Sequence, residues 1–370
     1  MRRAAERFLA PAFLLSATSF GTSFEVNISG FGVSPEHILL LIYGPILFSR
    51  RFTNFGVCYL IIFTITIFVG LLGIIINGVL NLHYFSLATL SLMFPLFIRY
   101  FEHIPRPEPL VWFSIILVLV QCIFFRPWTL GVGWDDIVVP GFGHFQRLAI
   151  LGFVSSSLAL MLTPIALYLL YKTKTDIRNR CTNFMLALVL LATIALTFSR
   201  AALAVLLLSS IFIMDRRMLL VFLGIFLALI MLNLDSVDII LKGFAREGYE
   251  QSPRFLLWEQ TLQNFFKRDW VFGEGLMNPP LDNTFLSLIV GSGIWGLGTL
   301  VVFCLITLLW IGWLRGVMQS DDLRFLILLI VGAFIGALSY DVFSQRKILF
   351  GYALVVGALV GSSLRSHLRR

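Results

Sequence analysis

Of 370 residues, 58% belong to the apolar set AVILMFWYC and only 13% are charged, where roughly 25% charged is usual for a soluble domain. With a mean hydropathy of +0.92, most segments have no polar face to offer water, so a water-soluble fold is excluded and one polytopic membrane domain over 1–370 is expected. The formal charge of +8, from 28 Lys and Arg against 20 Asp and Glu, reads as topology rather than nucleic-acid binding, because basic residues gather in cytoplasmic loops.

Taken in chain order, apolar runs separated by charge fall near 8–24, 36–49, 55–79, 84–101, 110–125, 149–171, 182–198, 201–214, 218–233, 284–314, 323–340 and 348–364. Their length and composition predict an all-α helical bundle of about 12 transmembrane helices with both termini on one side. Placing the N-terminus in the cytoplasm puts eighteen of the 28 basic residues inside, in clusters such as Arg50-Arg51, Lys172 to Arg180, Arg216-Arg217 and Arg365 to Arg370, and leaves ten outside. Half of those ten lie in one long outer loop, 234–283, a kind of segment that weighs little in the positive-inside rule. The opening Met1-Arg2-Arg3 followed by an apolar stretch also has the form of a cleaved signal peptide; a first anchor segment is preferred. Pro45, Pro95 and Pro164 are expected to kink helices. Cys58, Cys122, Cys181 and Cys304 form no C-x-x-C and have no partnered His spacing, so neither a disulfide, nor a metal site, nor a cofactor is expected.

Two outer segments are long enough to carry chemistry. The first, 126–148, contains Asp135, Asp136, His144 and Arg147. The Asp pair resembles a metal-binding carboxylate pair, but without further ligands in register it reads as a solvated turn. His144 is a candidate base or a solvated loop histidine. In the second, Ser252-Pro253 reads as an N-cap with proline at the first helical position, opening a helix to about Lys267. Phe255, Trp258, Leu262, Phe265 and Phe266 recur at helical spacing opposite Glu259, Gln263 and Asn264, the pattern of a helix lying on the outer membrane surface. Arg254 then falls in its first turn, where the macrodipole favours an anion.

Arg200 is the most informative position. Both flanking basic loops belong in the cytoplasm, so the stretch 182–214 must be a hairpin turning near Phe198-Ser199-Arg200. Its arms, about 27 and 21 Å as helix, fall short of a hydrocarbon layer about 30 Å thick. Arg200 is therefore expected below the outer surface, where a guanidinium needs a wet cavity or an anionic partner; snorkelling to headgroup phosphate is the structural alternative. Asp282-Asn283 ends the long outer loop before 284–314, which at about 46 Å is too long for a perpendicular span and is expected to start above the bilayer or break at Gly291 to Gly296. Asp282 suits an N-cap as well as it suits catalysis. Asp341 ends a run at the outer face beside Arg346 and Lys347, which either bind an anion or pair with it. Glu36 reads as first-turn helix electrostatics after Ser34-Pro35. No nucleotide-binding, zinc-protease or serine-hydrolase motif occurs.

Three features in order carry a family resemblance: Thr197-Phe198-Ser199-Arg200-Ala201-Ala202-Leu203, then Pro253-Arg254 to Trp258, then Phe272-Gly273-Glu274-Gly275 leading into Leu281-Asp282-Asn283-Thr284-Phe285-Leu286 and Gly293-Ile294-Trp295-Gly296-Leu297. Over roughly 145–310 the chain resembles the superfamily of Wzy-type O-antigen polymerases and O-antigen ligases. The resemblance implies a GT-C-like glycosyltransferase of the bacterial inner membrane that uses undecaprenyl-pyrophosphate-linked glycans as donor and acceptor at the periplasmic face. Membrane lipids are its surroundings, and a chain-length regulator protein is the partner class such polymerases add. The ligases of that superfamily usually have His before the Asn of the third motif; this chain has Asp282, which favours polymerase. Arg200 and Arg254 match the family's two arginines, whereas Asp341 matches its late carboxylate less closely.

The chemistry of such a site needs charge more than covalent participation. A pyrophosphate is already a good leaving group, so arginine, whose planar fork binds phosphate bidentately and keeps its charge, is suited to hold it. Arg200 and Arg254 are expected to clamp the donor, Asp282 to accept the proton of the incoming hydroxyl, and Asn283, Arg246, Arg147, His144 and Asp341 to contact substrate. An inverting single displacement needs no covalent intermediate. An O-antigen ligase acting on lipid A-core is the alternative within the family, and a lipid-linked oligosaccharide flippase or a small-solute transporter are the alternatives from another class. A flippase would line a path to both faces with charge, whereas here the recessed charges gather on one side; a transporter should show paired broken helices near the midplane.

Overall fold

The computed structural model describes residues 26–28, 31–33, 93–104, 108–124, 134–139, 143–148, 155–197, 199–231, 253–267, 270–271, 273, 283–339 and 346–368, with eight helical positions between 61 and 75. Helices dominate: α1 (Met93–His103), α2 (Glu108–Phe124), α3 (Ser155–Thr175), α4 (Arg180–Leu196), α5 (Arg200–Ile213), α6 (Arg216–Met231), α7 (Pro253–Lys267), α8 (Thr284–Leu314), α9 (Ser320–Ser339) and α10 (Arg346–Leu368). The extended segments among the described residues are two short antiparallel hairpins, β1 (Val26–Ile28) with β2 (Phe31–Val33) and β3 (Trp134–Val139) with β4 (Gly143–Leu148). Three stretches among the described residues are long and apolar enough to cross a membrane: Ser156–Thr175, Gly293–Leu314 and Ile348–His367. The expected spans 8–24 and 36–49, with Pro45, Glu36, Cys58 and the chain start, lie outside the described residues.

Packing divides the chain into two compact units, Ile115–Thr261 and Met1–Ser114 with Leu262–Arg370. In the first, α3 is the central helix: 89% of its apolar window is buried, and α4 and α5 pack against it while α6 packs on α4. A helix apolar all round has no face to turn to water, so it is surrounded. Its Pro164 lies inside the helix, as the sequence predicts, next to Thr163, whose hydroxyl donates to the Ala159 carbonyl at 2.8 Å. The α3–α4 connection closes on polar groups: the Asn179 side-chain amide donates to Asp176 at 2.9 Å, and Lys172 lies 5.5 Å from the Tyr168 ring centre.

In the second unit α10 is central, with 83% of its apolar window buried. It packs on α1 so closely that glycine is required at two points one helical turn apart. A Cβ on Gly357 would stand 2.6 Å from the Phe97 Cβ, and one on Gly361 would stand 2.7 Å from the Ile98 carbonyl oxygen. In a bilayer, where the surrounding tails are as apolar as leucine, close approach of this G-x-x-x-G kind is what gives one helix an advantage over lipid as a neighbour. Phe97 fills the seam and meets Phe350 edge-on at 5.5 Å. Because Gly357 faces Phe97 and Gly361 faces Phe101, α1 and α10 run parallel. Pro95, expected to kink its helix, instead falls in the first turn of α1, where no intrahelical hydrogen bond depends on its nitrogen.

Candidate functional site

The turn bearing Arg200 is built as the sequence leads one to expect. α4 ends at Leu196, α5 begins at Arg200 itself, and Ser199 is the N-cap. Thr197 and Ser199 are buried while Arg200 is exposed. The Thr197 hydroxyl donates to the Ile194 carbonyl at 2.6 Å and accepts from the Ser199 N–H at 3.3 Å, so Thr197 ties the end of α4 to the start of α5. The Ser199 carbonyl accepts the first bond of α5, from the Leu203 N–H at 3.0 Å, but the Ser199 side chain makes no capping bond. A guanidinium at the first residue of a helix stands where the macrodipole is positive, an arrangement that is unfavourable by itself and favourable once an anion shares the place.

Arg254 occupies the corresponding place in another helix. α7 runs from Pro253 to Lys267, the bounds expected from the sequence, with Arg254 as its second residue. Both arginines therefore stand in the first turn of a helix. Arg147 and His144 lie in β4, and the hairpin register sets Asp135 opposite Arg147 and Val138 opposite His144. This corrects the reading of Asp135-Asp136 as a turn: both belong to strand β3, directly after Trp134, and the Ile137-Val138-Val139 run that follows is β-branched and suits extended backbone.

A second correction concerns Asp282. The N-cap of α8 is Asn283, whose side-chain oxygen accepts from the Phe285 and Leu286 N–H groups at 3.0 and 3.1 Å. Its amide nitrogen donates to the Leu338 carbonyl at the end of α9, at 2.9 Å. Asn283 is buried, with 7% of its surface exposed. Asparagine serves here better than aspartate because it alone can accept at the helix end and donate to a carbonyl at once. Asn283 thus holds a structural post, which the sequence reading assigned to substrate contact. The capping role that competed with catalysis for Asp282 belongs to its neighbour. Asp282, Arg246 and Asp341 lie outside the described residues.

The break expected within 284–314 falls at Gly293, whose φ of 61° and ψ of −148° interrupt α8. Such backbone is essentially restricted to glycine. The Ile294 N–H released by the break donates to the Trp270 carbonyl at 3.0 Å. Gly273, three residues after Trp270 in the chain, is buried and has a φ of 74°. The Ile294–Trp270 bond sets Trp270, just ahead of one motif segment quoted above, beside Ile294 of another. Sequence reasoning passed over the Asn283 cap, although Asn followed by Thr and an apolar run is a recognisable start signal. It also passed over Gly357 and Gly361, whose spacing of four was legible. The chain matches no protein-family model and no curated protein.

Proposed function

We propose that the protein is a glycosyltransferase that polymerises undecaprenyl-pyrophosphate-linked oligosaccharide repeat units at the periplasmic face of a bacterial inner membrane. The observation that carries this reading is the place of Arg200: an exposed cation at the first residue of an apolar helix, at a corner braced by the Thr197 hydroxyl. α5 has 14 residues, about 21 Å, so its Arg200 end falls roughly 9 Å short of crossing a 30 Å hydrocarbon layer that starts at its Ile213 end, just before the basic Arg216-Arg217 start of α6. At that depth a lipid-borne pyrophosphate is an apt partner. Arg254, in the first turn of an amphipathic outer helix, supplies the second half of a clamp. The parallel run of α1 and α10 also suits their assignment as the fourth and twelfth spans.

In the reaction so framed, the acceptor hydroxyl attacks the anomeric carbon of the donor, the bond to the pyrophosphate oxygen breaks, and the lipid pyrophosphate leaves with the negative charge. Arg200 and Arg254 stabilise that charge as it develops. Asp282, released from capping by Asn283, takes the hydroxyl proton. Loss of one preorganised cationic donor is worth about 10²–10³ in rate. Arg200→Ala is therefore expected at wild-type abundance in the membrane with polymer abolished, and Arg200→Lys with partial activity at best. Wild-type chain-length ladders from the alanine variant overturn the clamp. Deletion of the whole protein should leave single repeat units on their final acceptor; long polymer retained on the lipid carrier would mark a ligase instead.

A further inference from the structure

The kinked helix α8 carries information about how the chain sits in a bilayer. Unbroken, its 31 residues would extend about 46 Å. α8 and α9 are joined by a tight turn in which the Val317 and Met318 N–H groups donate to the Leu314 carbonyl, and they pack antiparallel. Measured up from that turn, Leu338 stands about 27 Å along α9 and Gly293 about 32 Å along α8. Asn283 is bound to the Leu338 carbonyl, so the far end of the 284–292 arm is no higher than its junction at Gly293. The arm therefore turns aside at the break and runs across the end of the α8–α9 pair. Phe285 stacks on Phe334 of α9 with centres 6.3 Å apart, and Leu288 and Val290 are buried.

The straight part of α8 carries a tryptophan at each end. Trp295 is 43% and Trp313 38% exposed, and the rise from one to the other is about 27 Å of helix, close to the hydrocarbon thickness. Between them the large exposed side chains among the described residues are aliphatic: Leu297, Val301, Leu305, Leu308 and Leu309. Arg315 follows Trp313 on the exposed side, and the exposed indole of Trp270 accompanies Trp295 through the carbonyl that receives the Ile294 N–H. Indoles favour the level of lipid headgroups, with an apolar ring on one side and water on the other.

We propose that Trp295 and Trp313 mark the two hydrocarbon boundaries of the bilayer on α8, and that the 284–292 arm is an interfacial helix lying along the Trp295 boundary against phospholipid headgroups. Asn283 then sits at headgroup level rather than projecting into water. The geometry of α8 and α9 carries this placement, and it holds whatever reaction the protein performs.

The test is a depth profile of the full chain, with its natural cysteines replaced, reconstituted in phosphatidylcholine–phosphatidylglycerol vesicles. Spin labels are placed singly at residues 297, 301, 305 and 309 on the span and 285, 287 and 289 on the arm. Relaxation by oxygen relative to a water-soluble nickel chelate should show greatest depth near 305, falling towards both tryptophans, with the three arm labels sharing one shallow depth. Arm labels that step steadily outward into water overturn the proposal, as do arm labels as deep as 305. Where a label disturbs folding, intrinsic fluorescence serves: the component lost in Trp295→Phe or Trp313→Phe should be quenched more by lipids brominated near the headgroup than near the chain end. The reverse preference overturns the proposal equally.

Discussion

Replacing glycine with alanine at four positions separates close helix packing from helix propensity. At Gly361 the added Cβ would meet the Ile98 carbonyl oxygen at 2.7 Å, the Phe101 Cβ at 2.8 Å and the Glu102 nitrogen at 2.9 Å. Two of those three atoms are backbone, so no rotamer change relieves the clash, and α1 and α10 have to move apart by several tenths of an ångström along the seam. Gly357 meets the Phe97 Cβ at 2.6 Å and the Phe97 carbonyl carbon at 2.9 Å, with the same consequence. Overpacking of this kind costs about 1–3 kcal/mol, and the shift would also loosen the edge-on Phe97–Phe350 contact. At Gly298 and Gly312 nothing lies within 4 Å of the new Cβ; both lie in helix α8, where alanine gains about 0.5–1 kcal/mol over glycine in backbone entropy. The assay is thermal unfolding of each purified variant in one detergent. The expected order is Gly298→Ala and Gly312→Ala at or above wild type, with Gly357→Ala and Gly361→Ala clearly below. Equal stability across the four would refute the argument that the α1–α10 approach requires glycine.

Asn283→Ala removes the acceptor for two helix N–H groups and the donor to Leu338; a loss of about 2–3 kcal/mol is expected from the cap and the buried bond together, read by the same unfolding assay. Asn283→Asp keeps the cap and loses the donor, so it should fall between alanine and wild type. Asp282→Asn is expected to leave stability unchanged, because the cap is its neighbour, and to abolish polymer in surface-glycan gels; full activity would remove it as the base. A cysteine at position 256, exposed on α7, should react with a membrane-impermeant thiol reagent added from the periplasmic side, whereas protection there would reverse the orientation of the chain.

Much of the helical framework is legible without coordinates. A run of twenty apolar residues in a chain with so few charges has little choice but to be helical in lipid, since each backbone polar group must find its partner within the segment. For that reason α3, α4, α5, α6, α8, α9 and α10 fall close to their expected limits. Punctuation by proline and serine was equally local: Pro253 opens α7 because its fixed φ and missing N–H suit the first turn. The short corner at Arg200 is expected from reading the two flanking basic loops as lying on one side, and α4 does end at Leu196 and α5 begin at Arg200.

What sequence alone left open depends on neighbours distant in the chain. Whether Asp282 or Asn283 caps α8 was undecidable locally, since both residues cap helices well; the Leu338 carbonyl, which accepts a bond that only an amide can donate, decided it. The break in 284–314 could have been a helix rising above the bilayer; the Trp270 carbonyl waiting for the Ile294 N–H, and the reach of α9 to Asn283, decided that it turns aside. Asp135 and Asp136 read as a turn until a second strand supplied a register, because a strand is completed by its partner and not by its own residues. Apolar periodicity determines that a segment is a helix and lies in lipid. Which helix it meets, how closely and in which direction is decided by the few positions, Gly357, Gly361, Gly293 and Asn283, where another part of the chain must fit.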